Sequence, residues 1–299
     1  MSERKVIGLV VAPGVTEKLA ENLMEDIPDI LSEQHNNQIE WEIDLVVDPL
    51  TGYAERVEEI FKKVQAYHDE REWDYVLAIT DLPIFHHRRV MALDINMRNG
   101  AAIFSYPAFG WRPVKKRFKN AIVTIINEVH HAEQDHRNYD DNDYIEQSVK
   151  QQFPLSKIDK TQVYLDDTDS KHIRYLSSSR SRGMFRLVSG MTFANNPLNM
   201  MASLSNIVAI AFTTGAFGLI FTTMWQMANN FSMWRLFGIS IIAILGMLLW
   251  VMMSHDLWES TKQSSNKRIT LLYNLTTVMT LLIAVIIYYI ILYLSLIHI

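Results

Sequence analysis

The sequence predicts an α/β domain on a mixed sheet, with Rossmann-like or flavodoxin-like element order, followed by an α-helical transmembrane domain. Three observations carry this. The first half alternates short apolar runs with amphipathic helical patterns. Most of the charge lies before Arg186. Beyond it, residues 207–251 hold Arg235 as their one charged side chain, and residues 269–299 hold only His298 as a candidate. A bilayer core requires such a composition, and water does not tolerate it as a surface.

Residues 6–11 form a continuous apolar run, the pattern of a strand covered on both faces. Pro13-Gly14 and the lack of an A-x-A site separate this run from a signal-peptide core. Thr16 is placed to cap a helix with Leu19, Leu23, Ile27 and Leu31 on one face, and Pro28 is expected to kink or end it near Ile27. Trp41, Ile43, Leu45 and Val47 alternate with polar residues, as in a half-exposed strand. Val57, Ile60, Phe61 and Val64 space a second helix, and residues 75–79 read as a buried strand. This β-α-β-α-β order implies parallel strands with right-handed crossovers. Two further apolar runs, residues 90–95 and 101–105, are joined through Asn99-Gly100, a hairpin signal. A helix with Phe118, Ala121, Ile125 and Val129 on one face completes a sheet of about five strands covered by helices.

Residues 1–137 are therefore the α/β domain, and residues 138–170 an acid-rich connector of weak order. Residues 171–205 carry Lys171, Arg174, Arg180, Arg182 and Arg186 without an intervening acid up to Arg186. Met184, Phe185, Leu187, Val188 and Met191 interleave with them, as in an amphipathic helix lying on anionic lipid. The alternative is a solvated basic linker. Three spans are expected at about residues 206–227, 231–253 and 269–295, with Gly215 and Gly218 marking close helix packing. Trp225 and Trp234 flank the first turn, and Lys262, Lys267 and Arg268 follow the second span. The basic residues place the α/β domain in the cytoplasm of a multi-pass protein of the cell membrane. The last residues are still apolar, so a longer natural chain with at least one more span is expected.

Composition excludes several chemistries. With no cysteine, thiolate catalysis, disulfides and Cys-ligated zinc are absent. The net charge of −5 speaks against a nucleic-acid binder. His130, His131 and His136 fit no zinc motif, because adjacent histidines on a helix diverge by about 100°. No metal site is expected. Ligands of open α/β sheets bind outside the carboxyl ends of the strands. These ends run into Ala12-Pro13-Gly14, Asp48-Pro49, Asp81-Leu82-Pro83 and Ser105-Tyr106-Pro107. Asp48, Thr51, Asp81 and Ser105, with His86, His87 and Arg88 behind them, are the candidate ligand rim. Arg174, Arg180, Arg182 and Arg186 are the candidate membrane-surface residues.

The runs V-I-G-L-V-V-A-P-G, V-V-D-P-L-T-G and W-D-Y-V-L-A-I-T-D-L-P-I resemble an uncharacterised family of membrane proteins in Gram-positive bacteria. R-L-V-S-G-M-T-F-A-N-N-P and A-F-T-T-G-A-F-G-L-I are similar to that family's G-M-x-x-A-N-x-P and A-T-G-A-F stretches. Such sequences are often labelled methylene-tetrahydrofolate dehydrogenase/cyclohydrolase. Those enzymes use a Tyr-x-x-x-Lys pair and a glycine-rich NADP turn. No tyrosine here has a lysine four residues on, and no Gly-x-Gly occurs, so no motif supports NADP. The expected function is a membrane-anchored sensor or scaffold whose cytosolic domain binds a small molecule or partner protein, with the bilayer as its other partner. The alternative is a membrane-tethered enzyme with Asp81 as acid/base, assisted by His86 or His87.

Overall fold

The computed structural model describes residues 3–35, 38–49, 57–97, 99–111, 114–134, 158–165, 170–197, 205–260 and 267–297. The chain divides into two compact units, Met1–Ala194 and Asn195–Ile299.

In the first unit, β1 (Glu3–Val11), α1 (Val15–Gln34), β2 (Ile39–Val47), α2 (Val57–Arg71) and β3 (Tyr75–Thr80) follow the expected order. Then come β4 (Ile84–His86), β5 (Arg89–Asn96), β6 (Ala102–Ser105) and a 3-10 turn (Tyr106–Phe109). After α3 (Val114–Gln134) come β7 (Ile158–Leu165), β8 (Ser170–Ser177) and α4 (Arg180–Ala194). The sheet is mixed and eight-stranded, in the order β2-β1-β3-β6-β5-β8-β7, with β4 pairing β5 off that path. Pairs β1/β2, β1/β3 and β3/β6 are parallel, and those of β5 with β4, β6 and β8, and of β7 with β8, are antiparallel.

Every residue of β3 is buried, as a central parallel strand requires. Val10, Val76, Ala78 and Ile103 pack with Ile60 and Val64 of α2. Gly8 is held small by Trp73, whose ring a Cβ would meet at 1.8 Å. At the hairpin signal the chain turns as expected: Gly100 adopts φ 67°, and Asn99 Oδ1 accepts from the Ala101 N–H at 3.1 Å.

Three local expectations are corrected. Thr16 is not the cap of α1. Gly14 occupies that position, its N–H donating to Glu17 at 3.1 Å, while the buried Thr16 hydroxyl donates to the Ala12 carbonyl at 2.5 Å. Pro28 does not end α1, because the buried stripe Ala20, Leu23, Ile27 and Leu31 holds the helix on both sides of it. Residues 158–165 are not connector but strand β7, and residues 170–177 are not helix but strand β8. Eight strands among the described residues replace the expected five: β4 adds a three-residue strand, and charge conceals β7 and β8. Exposed Asp159 and Gln162 suit a sheet-edge strand, and in β8 the charge of Arg174 is paired inside the sheet. The acidic run at Asp140, Asp141 and Asp143 lies outside the described residues.

The second unit contains α5 (Ser205–Ile220), α6 (Thr222–Asn230), α7 (Met233–Ser254) and α8 (Lys267–Ile297). Among the described residues, two helices, Met233–Ser254 and Lys267–Ile291, are long and apolar enough to cross a membrane. The expected first span is broken instead: Phe221 is extended, at φ −77° and ψ 110°. The sixteen residues of α5 rise only about 24 Å, less than the hydrocarbon core. Gly218 also departs from expectation: among the described residues, nothing beyond its own helix backbone lies within 4 Å of a Cβ placed there. Helices α7 and α8 meet through Leu248, Val251, Met252 and Leu281. Ile242, Leu249 and Trp250 stay exposed on α7, a surface suited to lipid. Asn274 clasps the chain between these helices, accepting from the Glu259 N–H and donating to its carbonyl, both at 2.9 Å. Membrane association therefore rests on two candidate spans rather than three.

Candidate functional site

Because β2, β1, β3 and β6 are parallel neighbours, their carboxyl ends share one edge of the sheet. Backbone bonds hold this edge together, from Asp48 N–H to the Val11 carbonyl at 2.9 Å and from Ala12 N–H to the Ile79 carbonyl at 3.1 Å. The polar side chains there serve largely internal bonds. Asp48 is buried and accepts from the Tyr67 hydroxyl at 2.7 Å, with Lys63 at 3.6 Å, which ties α2 to the end of β2. Ser105 donates to the Leu82 carbonyl at 2.8 Å, and Thr80 Oγ1 accepts from the Leu82 N–H at 3.1 Å. Thr51 lies outside the described residues. Asp81 remains exposed, yet surrounding protein desolvates its carboxyl and raises its pKa above the ordinary carboxylate value.

His87 and Arg88 are the two tip residues of the β4/β5 hairpin, at φ 45° and 68°. A two-residue loop of this hand normally carries Asn-Gly, so both side chains hold strained backbone. His86 enters a buried polar cluster that sequence reasoning missed. Asp94 on β5 is fully buried, accepting from Arg174 Nε at 2.7 Å and bonded to His172 Nδ1 at 3.0 Å. Arg174 Nη1 lies 2.9 Å from His86 Nδ1. A guanidinium only donates, so that imidazole nitrogen is the acceptor. Burial first, then the charges of Arg174 and His87, lower the His86 pKa. The available signal was one acid, Asp94, within the apolar run 90–95.

The basic residues divide. Arg174 is buried on Asp94 and cannot reach a lipid headgroup. Arg180 and Arg182 are exposed at the start of α4. Arg186 is buried, with Leu187, Val188 and Met191, inside the α/β unit. Leu187, Val188 and Met191 of the apolar face expected to lie in lipid are thus covered by protein, while Phe185 of that face stays exposed. Gly183 and Gly190, seven residues apart, allow the contact: a Cβ would sit 2.2 Å from Ser177 Oγ at the first and 2.1 Å from the Pro107 carbonyl oxygen at the second. A periodic apolar stripe shows that a helix has a buried side and does not show what buries it.

Docking of α4 creates a pocket of about 300 Å³ between α4, the residues after the 3-10 turn and the first turn of α3. Phe109, Trp111 and Phe185 supply its apolar wall, and Arg117, Arg182 and Arg186 with Ser181 and Ser189 its polar groups. Among the described residues, no carboxylate lines it. Gly110, at φ 73°, lies under the Arg186 stem, where a Cβ would meet Cγ at 2.5 Å. Desolvation and then the neighbouring charge of Arg117 lower the Arg186 pKa to about 10. Desolvation lowers that of Arg117 as well. Arg117 is half-buried and its guanidinium donates to the Trp111 carbonyl, whereas Arg186 is buried. Among the described residues, no group of three or more His, Asp or Glu is arranged to hold a metal.

No protein-family model, curated protein or solved structure matches this chain.

Proposed function

We propose that this chain is a membrane-anchored ligand-binding protein whose α/β unit holds a small anion in the arginine pocket at the carboxyl edge of its sheet. One observation carries the reading: Arg117, Arg182 and Arg186, with Ser181 and Ser189, line one pocket at that edge. Open α/β sheets bind ligands outside the carboxyl ends of their strands, and the pocket begins just past the end of β6. The parallel order β2-β1-β3-β6 supports a flavodoxin-like reading of this half. Basic residues before the first candidate span, among them the exposed Arg180 and Arg182, support a cytoplasmic position for the α/β unit. Membership of the Gram-positive family that the motifs resemble belongs to the same proposal.

The test is a thermal-shift screen of the full chain in detergent micelles against small phosphates, carboxylates and sulfonates, each beside a neutral analogue. Anions should stabilise the parent, and Arg186→Met should abolish the shift, since only a ligand of the folded state raises its stability. If neutral analogues act as well as anions, the pocket is not an anion site and a scaffold role replaces it.

A membrane-tethered enzyme is the second reading, favoured by the raised pKa of Asp81. If the screen yields a compound that the protein turns over, Asp81→Asn should abolish turnover without abolishing binding. Retained turnover would remove Asp81 from the chemistry.

A further inference from the structure

We propose that the outward stripe of α4, together with Trp111, docks the α/β unit on a surface of anionic lipid. This docking goes beyond the anion reading of the pocket and is independent of it: Arg117 and Arg186 take no part.

The two sides of α4 differ. Leu187, Val188 and Met191 are buried in the α/β unit. Arg182, Phe185, Ser189 and Phe193 follow one another at spacings of three, four and four, which aligns them on one face of the helix. On that face Phe185 is 70% exposed and Phe193 37%. Trp111, 51% exposed, packs on Phe193 with ring centroids 5.7 Å apart and shares the pocket wall with Phe185. The described residues of the α/β unit leave five large hydrophobic side chains exposed, and three of them meet here. The other two, Val47 and Tyr164, sit on the edge strands β2 and β7.

Charge names the partner. Arg180 and Arg182 are exposed in the first turn of α4, where the helix macrodipole disfavours cations and the turn holds no acid. From Ser170 to His255 the chain carries no acidic residue. Asp159, which accepts from Ser178 ahead of the helix, is paired with Arg89. Negative headgroups would relieve the conflict with the dipole, while the rings settle at headgroup depth and the arginine stems reach outward. Size separates lipid from a protein partner. At about 200 Å² per aromatic side chain, the three exposures leave roughly 300 Å² of apolar surface, against about 800 Å² per partner in a stable protein interface. Weak attraction suffices for lipid because the chain is its own tether: residues 195–204 join α4 to the apolar helix α5, and the same chain carries the two candidate spans.

The chain has no cysteine, so Ser181→Cys and Glu40→Cys each create a single labelling site. The first lies at the proposed face and the second on edge strand β2, three strands from β6 in the sheet. Each carries an environment-sensitive fluorophore, and the full chain sits in nanodiscs of phosphatidylcholine, with or without phosphatidylglycerol, that contain a lipid-borne nitroxide quencher. In the phosphatidylglycerol discs the label at position 181 should be quenched and that at position 40 should not. Arg180→Gln with Arg182→Gln should lower the docked-to-free ratio about thirtyfold, about fivefold for each arginine. Trp111→Ser with Phe185→Ser should lower it about tenfold or more. All four side chains are exposed, so their replacement spares the fold. Quenching at position 181 no greater than at position 40, or undiminished in both double variants, would overturn the docking. Equal quenching with and without phosphatidylglycerol would overturn the anionic assignment. A shielded label that the lipid-borne quencher does not reach would assign the face to a protein, a second copy of this chain included, and overturn the proposal.

Discussion

Replacing Gly190 with alanine tests whether α4 belongs to the α/β unit. The new Cβ would lie 2.1 Å from the Pro107 carbonyl oxygen, 2.8 Å from its carbon and 2.9 Å from its Cα. An ordinary C···O contact is about 3.3 Å, so the helix must retreat by about 1.2 Å. All three obstructing atoms are backbone, and no side chain can swing aside. Overpacking of this kind costs about 1–3 kcal/mol, and the rigid neighbour places this site at the upper end. Alanine returns about 1 kcal/mol through helix propensity. The net loss is about 2 kcal/mol, which for a unit of this size lowers Tm by about 4–8 °C. Scanning calorimetry of the detergent-solubilised full chain measures it. Gly218→Ala is the control, with nothing among the described residues crowding its Cβ within 4 Å, and should leave Tm unchanged or slightly raised. Because Arg182 and Arg186 ride on the same helix, Gly190→Ala should also weaken anion binding. An unchanged Tm and unchanged binding would refute the docking of α4.

Asp94→Ala leaves Arg174 and His172 buried without their carboxylate and should cost about 3–5 kcal/mol, read by urea unfolding. Asp81 has a folded pKa above its unfolded one, so its charge opposes folding at neutral pH and has no effect once both states are protonated. Asp81→Asn should therefore raise Tm at pH 7, with the gain vanishing as pH falls through the ordinary carboxylate range; a lowered Tm at pH 7 would contradict this. His86 has a folded pKa below its ordinary value of 6.5. As pH falls below 6.5 the unfolded chain takes a proton that the folded one refuses, so stability should decline. Stability measured between pH 7.5 and 5 in the parent and His86→Gln (about the range over which a histidine titrates) should show a shallower decline in the variant.

Much of the α/β unit was legible because strands buried on both faces must be apolar. Residues 75–80, the alternation from Trp41 to Val47 and the Asn99-Gly100 turn each state their role locally. The rim positions were legible as positions, since Pro and Gly mark where strands end. Their chemistry was not. Asp48 and Ser105 look like ligand groups in the sequence, and only their neighbours Tyr67 and Leu82 show that they hold loops in place. The arginine pocket was illegible for a related reason. Arg117 and Arg186 stand 69 positions apart in the chain, and nothing in either segment records that they meet.

By itself the sequence determined the division into a charged α/β part and an apolar helical part, because burial in water and burial in lipid demand different compositions over any window of some twenty residues. It also determined the parallel start of the sheet, since β-α-β patterns admit few arrangements. Tertiary structure alone decided what covers each amphipathic face. Leu187, Val188 and Met191 are as apolar as a lipid-facing stripe would be, and the α/β unit claims them through close approaches at Ser177 of β8 and Pro107 of the 3-10 turn that only glycine permits. It likewise decided the fate of charge: Arg174 is neutralised within the sheet by Asp94, and Arg186 is drawn beneath the surface beside Arg117. Apolar periodicity is a local property of the chain, whereas the partner of a face or of a charge is set by residues distant in sequence, and at α4 that difference turns an expected lipid contact into the wall of a pocket.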